Sequence, residues 1–244
     1  MKVVFDMDTG VDDSLALIYA LNRPAYEIQG IGCVYGNVES WLAAENTMKI
    51  LDLVNAPDIP VVIGANEPLT GKWAGRVSII HGENGLGNVS PVAEANVACD
   101  PVAADYVFQS GMKITAVGLD VTMKVRFKRA YLDWIQTHCR PELKRAAEYL
   151  GKAFEWYFMG NQDRNYCMDD SPLHDPLAVM CASVPGLVLT QTRKARVECE
   201  GQYCRGMIVT DMREHPFEAE TVEFAVEVDE KKAIGELLAA FWEK

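Results

Sequence analysis

Asp6-Met7-Asp8-Thr9-Gly10-Val11-Asp12-Asp13 places four carboxylates within eight residues. Groups crowded this closely repel one another unless something neutralises them. A hard divalent cation does so through oxygen ligands, and both Ca²⁺ and Mg²⁺ select such ligands. Proton transfer by one of the acids is the companion chemistry. A plainer account has Asp12 and Asp13 favouring the positive end of a helix. It covers two acids and leaves Asp6 and Asp8 without a role, so a metal or acid–base site is the stronger reading.

Three further runs carry polar groups at useful spacing. Pro172-Leu173-His174-Asp175-Pro176 pairs an imidazole suited to proton transfer near neutral pH with a carboxylate. Asp before Pro is also an ordinary way to cap a helix, and that suffices for Asp175 alone. Beside an acid cluster still short of ligands, a functional role stands level with capping. Asn88 to Asn96, with Glu94 between them, offers two amides and an acid to sugar hydroxyls; as bare composition it reads more readily as a polar surface loop. His81-Gly82-Glu83-Asn84-Gly85 is either a loop tip or a lid bearing an imidazole.

These residues need elements to hold them. Val3–Phe5, Ile28–Val34, Pro60–Ile63 and Lys113–Val117 read as short strands; Asp12–Leu21, Ser40–Val54 and Pro101–Ser110 read as the helices between them. Such alternation predicts an α/β fold, a mostly parallel sheet with helices on both faces. Ligands of such sheets bind beyond the carboxyl ends of the strands. Asp6 and Asp8, Tyr35-Gly36-Asn37, Gly64 to Asn66 and Asp120 to Thr122 all fall there. Gly10 permits the sharp turn that crowds the acids. Farther on, a helical stretch over Arg129–Phe158, broken near Pro141, leads into a polar loop from Gly160 to Pro172. A helix after Asp175 follows. Leu187–Glu198, Arg205–Thr210 and Thr221–Val228 then form a small antiparallel portion, closed by a helix over Glu230–Trp242.

At 244 residues and 49% apolar composition, one domain over residues 1–244 is the simplest organisation. No apolar stretch approaches the roughly 20 residues that span a bilayer, and no secretory signal is expected. Seven cysteines without a CxxC pair suit a reduced, cytoplasmic protein. Cys199 and Cys204 flank a turn and read as packing residues. A net charge of −12 repels phosphate backbones and anionic membranes, which disfavours nucleic-acid and membrane partners and suits a neutral or cationic small molecule. Dinucleotide-binding and phosphate-binding glycine loops are both missing. Asp-x-Asp after a first strand also marks haloacid-dehalogenase-type phosphatases. Those need a later acid pair after a strand, whereas Asp169-Asp170 falls in the polar loop and Asp12-Asp13 has no place in that mechanism.

Taken together, the motifs resemble the inosine/uridine-type nucleoside hydrolase family. Its Asp-x-Asp-x-Gly-x-Asp-Asp signature matches at Asp6, Asp8, Gly10, Asp12 and Asp13, its Gly-Asn at Gly36-Asn37, and its His-Gly-Glu-x-Gly loop at His81 to Gly85. Its ribose-binding run matches Asn88 through Asn96, followed by Asp100-Pro101, Gly118 to Thr122 and His174-Asp175-Pro176. The resemblance covers essentially the whole chain. It implies that Asp8, Asp13 and Asp175 bind Ca²⁺ and that Asp8 also takes a proton from the attacking water. It further implies that Asp12, Asn37, Asn88, Glu94 and Asn96 hold ribose hydroxyls. By the same resemblance His174 faces the base and assists its departure, with His81 nearby. The implied activity is calcium-dependent hydrolysis of a ribonucleoside to ribose and free base, serving salvage, in a homo-oligomer (dimer or tetramer).

One departure from the family pattern stands out. Gly85-Leu86-Gly87 runs straight into Asn88, where the family carries two helix–strand units. The first of those strands ends in a turn that supplies a backbone carbonyl to calcium. The resemblance therefore implies a sheet shortened by central helix–strand units. A non-catalytic nucleoside- or ribose-binding relative with an incomplete metal site is the alternative that this departure raises.

Overall fold

The computed structural model describes residues 1–73, 75, 95–165 and 169–242. Strand β1 (Lys2–Met7) runs parallel to β2 (Glu27–Cys33), with Asp6 opposite Gly32 and Met7 opposite Cys33. Between them lies helix α1 (Val11–Leu21), in which every residue from Val11 to Ala20 is buried. From Leu15 onward the helix is apolar all round and has no solvent face to offer, so it becomes the centre of the fold. Helix α2 (Ser40–Leu53) returns the chain to β3 (Val61–Ile63), which extends the parallel sheet in the order β1-β2-β3.

After α3 (Ala95–Cys99) and α4 (Pro101–Phe108) comes β4, reduced to Thr115–Ala116, and a single helical turn α5 (Leu119–Thr122). Strand β5 (Arg126–Lys128) and helix α6 (Arg129–His138) lead through a short 3₁₀ turn at Pro141–Leu143 into the long helix α7 (Lys144–Asn165). Strand β6 (Asp170–Pro172) pairs antiparallel with β5, and α8 (Asp175–Ser183) follows. Strands β7 (Val188–Val197), β8 (Ile208–Thr210) and β9 (Thr221–Val228) pair antiparallel, and α9 (Glu230–Trp242) closes the chain. The architecture is α/β, with a small antiparallel C-terminal portion as expected.

The main core gathers Leu15, Leu17 and Ile18 of α1 with Phe127, Phe154, Phe158, Leu177 and Phe241, each essentially inaccessible. Fully burying one such side chain is worth roughly 1.5–3 kcal/mol, so α1 is anchored by the helices around it. Among the described residues no helix is long and apolar enough to cross a membrane.

Two local expectations need correction. The strand expected over Lys113–Val117 keeps two residues and pairs parallel with β9, joining the C-terminal sheet in the order β4-β9-β7-β8 rather than the N-terminal one. The loop expected over 160–172 is helical to Asn165 and extended from Asp170, because β5 offers a pairing edge to Asp170–Pro172. Register puts Val4, Asp6, Gly30, Gly32 and Val62 on one face, and Val4 and Val62 are 73% and 61% exposed, so that face is open among the described residues.

Candidate active site

The site forms where β1 hands over to α1. Gly10 is the N-cap residue of α1, and its N–H donates to Asp13 Oδ2 at 2.7 Å. Capping thus accounts for one oxygen of Asp13. Thr9 is locked by a 2.6 Å hydrogen bond between its hydroxyl and that of Thr47 on α2, which itself donates to the Ala43 carbonyl. The turn is consequently fixed from below.

Asp8 lies against the Gly36-Asn37 turn after β2. Asn37 donates its backbone N–H to Asp8 Oδ2 at 2.6 Å, and its side-chain amide reaches Asp13 Oδ2 at 3.4 Å. A Cβ on Gly36 would fall 2.0 Å from Asp8 Oδ2, so only glycine admits the carboxylate here. On the other side, Tyr157 of α7 donates its hydroxyl to Asp12 Oδ2 at 2.7 Å. Asp12 Oδ1 is buried and makes no hydrogen bond among the described residues. Asp175, the first residue of α8, completes the group: Asp12, Asp13 and Asp175 each bring a carboxylate oxygen within 4.8 Å of the others. The helix begins at Asp175, with His174 as its N-cap residue and Pro176 in its first turn.

The electrostatics follow from this crowding. Burial, opposed by the Asn37 N–H and reinforced by Asp12, pushes Asp8 up to about 6. Burial, then the charges of Asp8 and Asp12, lift Asp13 well above the usual carboxylate range. Buried like charges with an unpartnered oxygen among them are what a cation offsets. Oxygens sharing one Ca²⁺ at roughly 2.4 Å lie at most about 4.8 Å apart, and all the donors are hard oxygen atoms. The residues present therefore fit such an ion.

His174 is partly buried, with Nδ1 2.8 Å from the hydroxyl of Thr122 on α5. Burial lowers its pKa, while Asp12 opposes and Arg126 adds to the shift. Asp8, Asp12, Asp13, Asn37, His174 and Asp175 are thus brought to one place. Asn96 stands exposed on α3, whose last residue, Cys99, is near enough to Asp8 for that charge to raise the thiol's pKa, after burial. His81, Asn88 and Glu94 lie outside the described residues. Sequence reasoning missed Tyr157 and Tyr149. They sit two turns apart on one face of α7, with the Tyr149 hydroxyl 3.1 Å from Ser14 Oγ. Hydroxyl-bearing aromatics at helical spacing on a face otherwise apolar were the available signal.

Residues 3–89 and 86–235 match the profile of the inosine-uridine preferring nucleoside hydrolases in two pieces. The pieces meet at 86–89, where the motif order lacks its two helix–strand units. The pyrimidine-specific ribonucleoside hydrolase RihA of Klebsiella pneumoniae subsp. pneumoniae is 28% identical, covering 86% of this chain and 88% of the relative. That alignment runs over 279 positions against 244 residues here, so the relative carries sequence this chain lacks. Among solved structures, a purine-preferring ribonucleoside hydrolase from Gardnerella vaginalis superposes with a TM-score of 0.87 at 25% identity, covering 99% of this chain and 98% of that one. A plant nucleoside hydrolase, PpNRh1, shares the fold at 0.88 and 22% identity, covering 100% and 99%. The chain belongs to the inosine-uridine preferring nucleoside hydrolase family, enzymes that hydrolyse the N-glycosidic bond of ribonucleosides.

Proposed function

We propose that the protein is a calcium-dependent ribonucleoside hydrolase that releases ribose and a free base for salvage. The observation that carries this reading is the buried Asp12 Oδ1, without a hydrogen bond among the described residues, within a carboxylate triad whose mutual repulsion a cation would offset. Asp8, Asp13 and Asp175 would hold the ion, with Asp12 beside them. When bound, it supplies Lewis acidity toward water and offsets the acids' repulsion.

The chain's own residues perform the rest. Asp8, hydrogen-bonded through one oxygen to Asn37 and raised toward neutrality, is suited to accept the proton of the attacking water. Breaking an N-glycosidic bond builds positive charge on the ribose, as in glycoside hydrolysis generally. Asp12 stabilises that charge and accepts from a ribose hydroxyl, while Tyr157 keeps its other oxygen fixed. Asn37, together with Asn88, Glu94 and Asn96, holds the remaining hydroxyls. In the tautomer in which Thr122 donates to Nδ1, His174 would carry its proton on Nε2 and could hydrogen-bond the departing base through it; the family resemblance gives His81 a supporting part.

The acidic charge and reduced-cysteine composition support a cytoplasmic enzyme acting on a small nucleoside. Exposed Trp41, Tyr106 and Trp242 are compatible with assembly into a dimer or tetramer. The named relatives differ in base preference, so both uridine and inosine belong in the assay. Reducing sugar should appear with calcium, vanish with a chelator, and fall about 10²- to 10⁴-fold in Asp8→Asn. Nucleoside binding without sugar release from either substrate would mark a binding protein instead.

A further inference from the structure

Trp73 lies outside every motif above, yet its indole N–H donates to the Gly36 carbonyl at 3.2 Å. That carbonyl and the N–H of Asn37 are the two ends of one peptide group. The Asn37 end donates to Asp8 Oδ2 at 2.6 Å. The Asp8 carboxylate also rests directly on Gly36, leaving no space for a Cβ. A continuous chain of hydrogen bonds therefore runs from the indole, through a single peptide plane, to the acid. A donor on a carbonyl polarises the amide and strengthens what its N–H donates, and it also fixes the plane's rotation.

Trp73 is itself well held. Its backbone N–H donates to Glu67 Oε2 at 3.2 Å, and its ring meets Tyr35 edge-on at 5.9 Å. Neighbouring Asn66 is tied to α2 by accepting from the backbone N–H of Ser40 at 2.9 Å. The segment after β3 is thereby fastened to the turn after β2 before it reaches the indole.

We propose that Trp73 is a positioning residue for Asp8, acting through the peptide group that joins Gly36 to Asn37. The inference rests on the reading of Asp8 as cation ligand and proton acceptor. A ring that merely walls the site needs no N–H, which separates this role from packing.

Calcium titration by calorimetry without substrate tests it, alongside kcat and KM for whichever nucleoside is cleaved. Trp73→Phe keeps a ring against Tyr35 and loses the donor. It should weaken calcium binding roughly tenfold and lower kcat by a similar factor, with KM changed less than about twofold. Trp73→Gln keeps a donor of similar reach and should bind calcium within about threefold of the unaltered protein. Equal losses in both variants, or no loss in Trp73→Phe while Asp8→Asn loses calcium, would overturn the role of Trp73 and leave that of Asp8 standing. Unchanged calcium binding in Asp8→Asn would overturn both. If Trp73→Phe fails to fold, Trp73→Gln decides alone: retained affinity supports the relay and a tenfold loss refutes it.

Discussion

On its helical side the acid cluster rests on α1, α7 and α8, where Leu15, Phe154 and Leu177 are wholly buried. On its sheet side, β1–β3 leaves Val4 and Val62 mostly exposed. The carboxylates divide along the same line. Asp12, Asp13 and Asp175 stand on helix first turns, with Asp12 gripped by Tyr157. Asp8 follows the end of β1 and accepts the Asn37 N–H. The family match breaks at residues 86–89, which in chain order lie between β3 and α3. In chain order that break leaves α1 and α8, which carry three of the four site acids, intact.

The largest expected effect tests the packed side. Leu15→Ala removes a fully buried side chain from the central helix and should cost about 2–5 kcal/mol in urea unfolding. A loss below about 1 kcal/mol would mean that α1 relaxes freely, and the contrast between the sides would disappear.

A second effect belongs to the acids at the junction. A carboxylate raised on folding contributes stability that is full below its unfolded value near 3.8 and is lost as pH climbs through its folded value, about 6 for Asp8. Asp13, raised further, acts in the same direction. The metal-free protein therefore lacks this contribution at pH 7, where an ion binding the ionised cluster can restore stability. Thermal unfolding with calcium at a hundred times its Kd should show a gain of about 2.7 kcal/mol at pH 7. The gain should shrink toward pH 5, as protons compete for the same oxygens. An equal gain at both pH values would remove the acid cluster as the binding site.

Much of the helical side was legible in the sequence because its signals are local. The apolar run after Asp13 specifies a buried helix, and Asp100 caps α4 by accepting from Ala103 N–H at 3.1 Å, as its place before Pro101 suggests. The meeting of Asp175 with Asp12 and Asp13 spans more than 160 residues, and no spacing announces it; only the family resemblance placed Asp175 beside them. Tyr157 and Trp73 escaped the sequence reading for a related reason. Each acts through one polar atom on a side chain whose bulk reads as core. The two-residue remnant at Thr115–Ala116 shows the limit on the sheet side. Its apolar run signalled a strand, but the choice of β9 as partner depends on where distant elements leave an edge free.

The smallest expected effect probes the open face. Val4 shares that face with Asp6, Gly30, Gly32 and Val62, and two of the five residues there have no side chain to cover a neighbour. A threonine of nearly the same shape differs from valine mainly in needing solvent or a partner for its hydroxyl. At Val4, 73% exposed, water meets that need, so Val4→Thr should change stability by less than about 0.5 kcal/mol. At Val125, with no exposure, the hydroxyl would be stripped of water, and Val125→Thr should cost roughly 1–3 kcal/mol. Comparable costs at the two positions would show that the face is covered in solution. The sheet would then be buried on both sides, as parallel sheets generally are, and the asymmetry about the acid cluster would fail.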